Sequence, residues 1–117
     1  MSQKKVVLFA FNGEPMCFVH VLLNALDMRE RGYDVKVVIE GSATKTANLL
    51  NEPGAQFGKF YQEVKAQGLI DCACKACANK MGALEGIEAQ KLPLCAEMVG
   101  HPSMAKYMDA GYEVVTF

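Results

Sequence analysis

The 117-residue chain carries twelve Lys and Arg against thirteen Asp and Glu, a formal net charge of -1, and its basic residues are scattered, which excludes nucleic acid as an expected partner. Apolar residues make up 51% and charged residues 21% of the chain, the balance of one domain, 1–117, whose core is large enough to fold without disulfides. Met1-Ser2-Gln3-Lys4-Lys5 runs directly into Val6–Phe11, a stretch too short for a signal peptide or a bilayer span, so the expected setting is the cytoplasm, with no membrane partner.

Val6 to Phe11 is a continuous apolar run ending at Asn12-Gly13, the pattern of a strand buried on both faces and closed by a turn. Pro15 suits a first helical position, and Val19, Leu22, Leu23 and Leu26 follow at helical spacing until Arg29, Arg31 and Gly32 end the helix. Val35 to Ile39 predicts a second buried strand, followed at Ser42 by a short helix through Leu50. Phe57, Phe60, Tyr61 and Val64 then repeat at three- and four-residue steps, giving a third helix an aromatic stripe.

Leu69 to Ala73 predicts a third strand, running into a helix from Cys74 or Lys75 to Met81 that Gly82 breaks. Residues 83–93 are expected to form a loop with one helical turn, because Gly86 weakens a helix there and Pro93 stops it. Leu94 to Val99 reads as a fourth strand, Pro102 to Ala110 as a last helix with Met104, Ala105 and Met108 inward, and Tyr112 to Phe117 as a fifth strand. Five strands alternating with helices imply an α/β fold, a three-layer α/β/α sandwich around a doubly wound five-stranded parallel sheet, of order 2-1-3-4-5 or 3-2-1-4-5. The loops Asn12–Glu14, Cys72–Lys75 and Gly100–His101 would all leave the carboxyl edge of that sheet.

Three of the five cysteines, Cys72, Cys74 and Cys77, crowd the junction of the third strand with its helix. A reducing compartment keeps such thiols free unless a metal or a substrate sulfur claims them. Cys74 combines the sheet edge, a helix N-terminus and the adjacent Lys75, all favouring a reactive thiolate. Cys72 fits as strand packing, and Cys77, one helical turn beyond Cys74, as either a resolving thiol or packing. Zinc or an iron–sulfur cluster would need Cys72, Cys74 and Cys77 together with Cys95, Cys17, His20 or His101. The spacing is not a standard one and a regular helix from Cys74 would splay the sulfurs, so no metal is expected. His101, just before Pro102, can assist deprotonation of a thiol at the same edge or serve as a solvated cap, and His20 reads as a surface group. The six methionines after Met1 read as filling for the core or subunit contacts. No dinucleotide fingerprint or Walker loop occurs, and no organic cofactor is expected.

The run Cys74-Lys75-Ala76-Cys77-Ala78-Asn79-Lys80-Met81-Gly82, together with the closing Gly111-Tyr112-Glu113-Val114-Val115-Thr116-Phe117, resembles the DsrE-like family of small sulfur-relay proteins over essentially the whole chain. Lys80 stands where the family usually has arginine and Cys77 where alanine is common, and Cys72 adds a further thiol. The resemblance implies a sulfurtransferase-like carrier with a persulfide on Cys74, sulfur donor and acceptor proteins as partners, and a homo-oligomer, trimer or hexamer. The alternatives are a thiol-redox protein using Cys74 and Cys77, since a neighbouring thiol can discharge a persulfide, a metal-binding module, and a binding protein whose thiols are structural.

Overall fold

A computed structural model describes residues 3–117. The elements follow in the order β1 (Lys5–Ala10), α1 (Pro15–Glu30), β2 (Asp34–Ile39), α2 (Ala43–Leu50), α3 (Gly58–Ala66), β3 (Ile70–Cys74), α4 (Lys75–Lys80), α5 (Leu84–Ala89), β4 (Leu94–Cys95), α6 (Met104–Asp109) and β5 (Glu113–Thr116). All strand pairings are parallel, and the sheet order is β4-β3-β2-β1-β5. Neither order expected from the sequence occurs. The chain steps outward one strand at a time from β1 to β4, then crosses back over three strands to place β5 beside β1.

Right-handed crossovers turn that order into unequal layers. Successive steps in one direction keep α1 to α5 on a single face, where Phe18, Leu22, Ala47, Tyr61, Ala78 and Ile87 close a core over Leu8, Val37 and Ala73. The return crossing puts α6 alone on the other face, where Tyr107 packs with Val7, Phe9, Val38, Cys72 and Cys95. Strands β1 and β2 read as unbroken apolar runs because both faces are covered: Val7, Leu8, Phe9, Val37, Val38 and Ile39 are fully buried.

Several elements differ from the sequence reading for identifiable reasons. In α1 Val19 and Leu22 are buried and Leu26 packs at the edge of the core as the spacing implies, joined by Phe18, Val21 and Ala25, while Leu23 is exposed. In α6 the inward residues are Met104 and Tyr107, while Ala105 and Met108 face solvent. The Tyr107 ring meets Phe9 edge-on at 5.6 Å and its hydroxyl donates to Asp71, and these contacts of the largest side chain set the rotation of a six-residue helix. Four of the methionines, Met16, Met81, Met98 and Met108, are exposed on this chain rather than in its core. The segment 84–89 is a six-residue helix despite Gly86, whose bare Cα lets Asn48 pack against it. The fourth strand stops after two residues. Glu97 accepts hydrogen bonds from the N–H groups of Ala96 and Ser103, Val99 and Gly100 adopt positive φ, and the chain turns back instead of continuing to Val99.

Asp71 is the extra residue in β3, since Val37 pairs with Ile70 while Val38 pairs with Cys72. Its carboxylate is held by Lys36 at 3.2 Å and by Tyr107. The bulge puts Cys72 on the α6 face and Ala73 on the opposite one, re-aiming the residues that follow, as bulges do.

The thiols are not all free. Cys72 and Cys95 form a disulfide between β3 and β4, with both residues buried, contrary to the expectation that the cysteines stay as thiols. The pairing follows from the fold. A two-residue edge strand has few backbone hydrogen bonds, and the covalent bond fastens it across a sequence separation of 23. Closing such a loop contributes about 3 kcal/mol. Alkylation of the unfolded, unreduced protein should therefore label three thiols (Cys17, Cys74 and Cys77) and label five after reduction, and Cys72→Ala/Cys95→Ala should lower Tm by roughly 10 °C. Five labelled thiols without reduction would show that the bond does not form.

Candidate functional site

The carboxyl ends of β3 and β4 lead to opposite faces of the sheet, β3 into α4 and β4 toward α6. Adjacent strands whose exits diverge leave a crevice, the usual place for a site in an open α/β sheet. Four reactive side chains converge there: Glu40 just after β2, Cys74 at the end of β3, Cys77 in the first turn of α4, and His101 on the segment after β4. One ligand atom from each lies within 4.8 Å of all the others.

Cys74 is extended (φ -66°, ψ 118°) and caps α4 instead of joining it, so its sulfur turns back over the first turn and accepts from the Cys77 N–H at 3.3 Å. The splaying expected of a regular helix from Cys74 does not occur. His101 brings Nδ1 to 3.1 Å from Cys74 Sγ and 3.7 Å from Cys77 Sγ. In the tautomer protonated at Nε2, Nδ1 accepts the Cys74 S–H. The imidazole is carried by a tight turn in which Met98 and His101 exchange both backbone hydrogen bonds, at 2.8 and 3.0 Å. Gly100 completes that turn at φ 93°. Its carbonyl accepts from Ala76 N at 2.9 Å and lies 3.6 Å from Cys74 Sγ, and a Cβ here would meet that of Ala76 at 3.0 Å. Glu97, clipped to Ser103 N and to Lys106 at 3.2 Å, anchors the far end of the segment.

Burial dominates the electrostatics. Cys74 is fully buried and its thiol is pushed up to about 12 by desolvation; the Cys77 N–H opposes this, while the Cys77 thiol and the Glu40 charge add to it. The thiolate expected from the helix start is thus not the resting form. A helix of six residues supplies little dipole. Lys75 is exposed and is not among the hydrogen-bond partners of Cys74. Glu40, at 6% exposure, is raised to about 7 by desolvation, and its carboxyl makes no side-chain hydrogen bond among the described residues. The crevice therefore holds a thiol that keeps its proton, within 3.1 Å of the imidazole Nδ1.

Of the residues singled out in the sequence, the structure brings together Cys74, Cys77 and His101, and leaves Lys75 at the rim. Cys72 is spent in the disulfide, so the Cys72, Cys74 and Cys77 set weighed for a metal is not available. Cys17 and His20 lie on α1 beside Asn12 and Phe117, outside the crevice. The Asn12–Glu14 loop is tied to α2 through Ser42, which accepts from Gly13 N. Glu40 was missed. Its signal is a lone carboxylate directly after an apolar strand, at the same carboxyl edge that pointed to Cys74.

Comparison with known proteins agrees with this architecture. An uncharacterized protein of Methanocaldococcus jannaschii, MJ0733, is 33% identical over 97 residues, covering 83% of this chain and 77% of that protein. An uncharacterized protein of Archaeoglobus fulgidus is 46% identical over 44 residues, 38% of this chain and 72% of the other. The solved structure of BT1422, a conserved protein of unknown function from Bacteroides thetaiotaomicron, superposes with a TM-score of 0.71 over 97% of this chain and 95% of that one, at 15% identity, and shares the fold. A model of the DsrE/DsrF-like family matches residues 5–117, and the chain belongs to that family.

Proposed function

We propose that this chain is a sulfurtransferase-like carrier that accepts sulfane sulfur from a donor protein as a persulfide on Cys74 and delivers it to an acceptor protein, without an organic cofactor. Family membership suggests sulfur relay in general. The observation that carries the finer reading is the 3.1 Å contact between Cys74 Sγ and His101 Nδ1. A buried thiol needs a base to become a nucleophile, and His101 is placed to be that base. The proton passes to Nδ1, Cys74 Sγ attacks the terminal sulfur of the donor persulfide, the donor S–S bond breaks, and the donor leaves as a thiolate. No electron is gained or lost overall. Burial then shelters the persulfide, the Cys77 N–H steadies its inner sulfur, and the exposed ammonium of Lys75 adds positive charge at the rim where an anionic donor approaches. The proposal sets the relay in the cytoplasm, where reducing conditions would keep Cys74 and Cys77 as thiols while burial shields the Cys72–Cys95 disulfide from exchange.

A second reading rests on the position of Cys77, whose sulfur shares the His101 nitrogen with Cys74. If Cys77 attacks Cys74 Sγ in the persulfide, the outer sulfur leaves as hydrosulfide and a Cys74–Cys77 disulfide remains: the sulfane sulfur is reduced and the two thiols are oxidised.

Reduced protein incubated with glutathione persulfide and mapped by peptide mass spectrometry separates these outcomes. The carrier reading expects one added sulfur on the Cys74 peptide, equal loading in Cys77→Ala, loss of loading in Cys74→Ser, and at least about tenfold slower loading in His101→Gln. Full loading in Cys74→Ser would overturn it. Sulfide release with a Cys74–Cys77 disulfide in the wild type, and a persulfide that accumulates only in Cys77→Ala, would replace it with the redox reading.

The working form in this proposal is a homo-oligomer, a trimer or hexamer. Its support, beside the family, is that Val99 is 96% and Met98 53% exposed on the segment that carries His101, apolar surface that a neighbouring subunit would cover. Light scattering at micromolar concentration should give a mass at least three times that of the chain, and a purely monomeric protein would contradict this.

A further inference from the structure

Independently of sulfur transfer, the crevice has the composition of a metal centre. Two sulfurs, one imidazole nitrogen and one carboxylate oxygen come from Cys74, Cys77, His101 and Glu40, and all four lie within 4.8 Å of one another. Ligands about 2.0–2.3 Å from a single zinc ion in tetrahedral array are roughly 3.3–3.8 Å apart. The Cys74–His101 and Cys77–His101 separations, 3.1 and 3.7 Å, bracket most of that range.

The backbone is arranged as well. Cys74 and Cys77 have the two-residue spacing of a zinc knuckle. Because Cys74 lies outside the helix and its sulfur folds back over the first turn, both sulfurs turn to the same side. Glu40 supplies the second, independent observation: it is 94% buried, that is 6% exposed, it makes no side-chain hydrogen bond among the described residues, and its carboxylate points at the two thiols and the imidazole. No fully enclosed side-chain oxygen among the described residues lacks a partner, so this unbonded carboxylate keeps an opening through which a cation can reach it. Of the basic side chains nearest in sequence, Lys36 is paired with Asp71 and Lys45 is exposed, and none of the ion pairs among the described residues includes Glu40.

We propose that Glu40, Cys74, Cys77 and His101 form a binding site for one divalent zinc ion. Zinc suits two thiolates with one imidazole and one carboxylate in a tetrahedral array, whereas calcium or magnesium would demand six or more oxygens that this crevice does not offer. On binding, the two thiols lose their protons to solvent and the ion takes three negative ligands and one neutral one. The ion uses the lone pairs of Cys74 that a donor persulfide would meet, so zinc and sulfur loading exclude one another at this residue.

The test uses the full chain, reduced with a non-thiol phosphine and freed of metal, and titrated anaerobically with Co²⁺ as a spectroscopic stand-in and then with Zn²⁺ against a chromophoric chelator. The proposal expects one ion per chain, thiolate-to-cobalt charge transfer, and tetrahedral d–d bands that Zn²⁺ displaces. Glu40→Gln and His101→Gln, which keep side-chain size, should each weaken Zn²⁺ binding by at least about tenfold, and Cys77→Ser, which leaves only the Cys74 thiolate, should cut the charge-transfer band by about half. The site is overturned if the wild type takes up no stoichiometric ion. It is equally overturned if Glu40→Gln and His101→Gln bind as tightly as wild type, or if the charge-transfer band keeps its full intensity in Cys77→Ser, which would place the ion on other thiols. None of these readouts involves sulfane sulfur, so failure here leaves the persulfide reading standing, and failure of persulfide loading in metal-free protein leaves the zinc site standing.

Discussion

The handedness of one crossover organises this molecule. Connections from β1 through β4 run in one direction and must therefore stack α1 to α5 on one face of the sheet. The return from β4 to β5 runs the other way and must cross the opposite face, carrying α6 with it. Where these regimes meet, at the carboxyl ends of β3 and β4, neighbouring strands send their chains apart. Cys74 with Cys77 leaves toward one side and His101 toward the other, and the sheet edge between them stays open to chemistry. The same reversal leaves β4 as an edge strand of only two residues, and the Cys72–Cys95 disulfide fastens it. A covalent bond inside the sheet thus lies next to the strand ends from which two free thiols are presented.

Burial is the second constraint and works against reactivity. Cys74 lies fully out of solvent, and desolvation keeps its proton on. A helix of six residues cannot offset that cost through its dipole. The imidazole of His101 makes the difference, since it offers the proton a destination within hydrogen-bond reach without first placing a charge in the crevice. Gly100 is equally needed: its positive φ lets the loop press its carbonyl against α4 and so holds the imidazole over both sulfurs. Replacing it would strain the turn and push on Ala76.

Much of this was legible in the residues. Apolar runs such as Val6–Ala10 and Val35–Ile39 announce strands buried on both sides, and the alternation of strand and helix implies the parallel sheet and the edge at which Cys74 stands. The strand order was not legible, because the right-handed rule permits several orders and the choice depends on which faces the helices can cover. The rotation of α6 escaped because methionines at helical spacing resemble an inward stripe, while Tyr107 wins the position through Phe9 and Asp71. The early end of β4 was hidden by Met98 and Val99, which read as strand but face solvent. The disulfide joins residues on two strands whose adjacency and register are tertiary facts, and Glu40 required knowing that β2 lies beside β3.

The account stands on His101 acting as the base for a buried Cys74 thiol. The most direct measurement is the rate of Cys74 alkylation by iodoacetamide as a function of pH in metal-free protein, read from the Cys74 peptide, for wild type and His101→Gln. The account predicts in His101→Gln a rate at pH 7 lower by at least about tenfold than in the wild type, climbing steadily into alkaline solution so that the two profiles converge there. Superimposable profiles for the two proteins would contradict it.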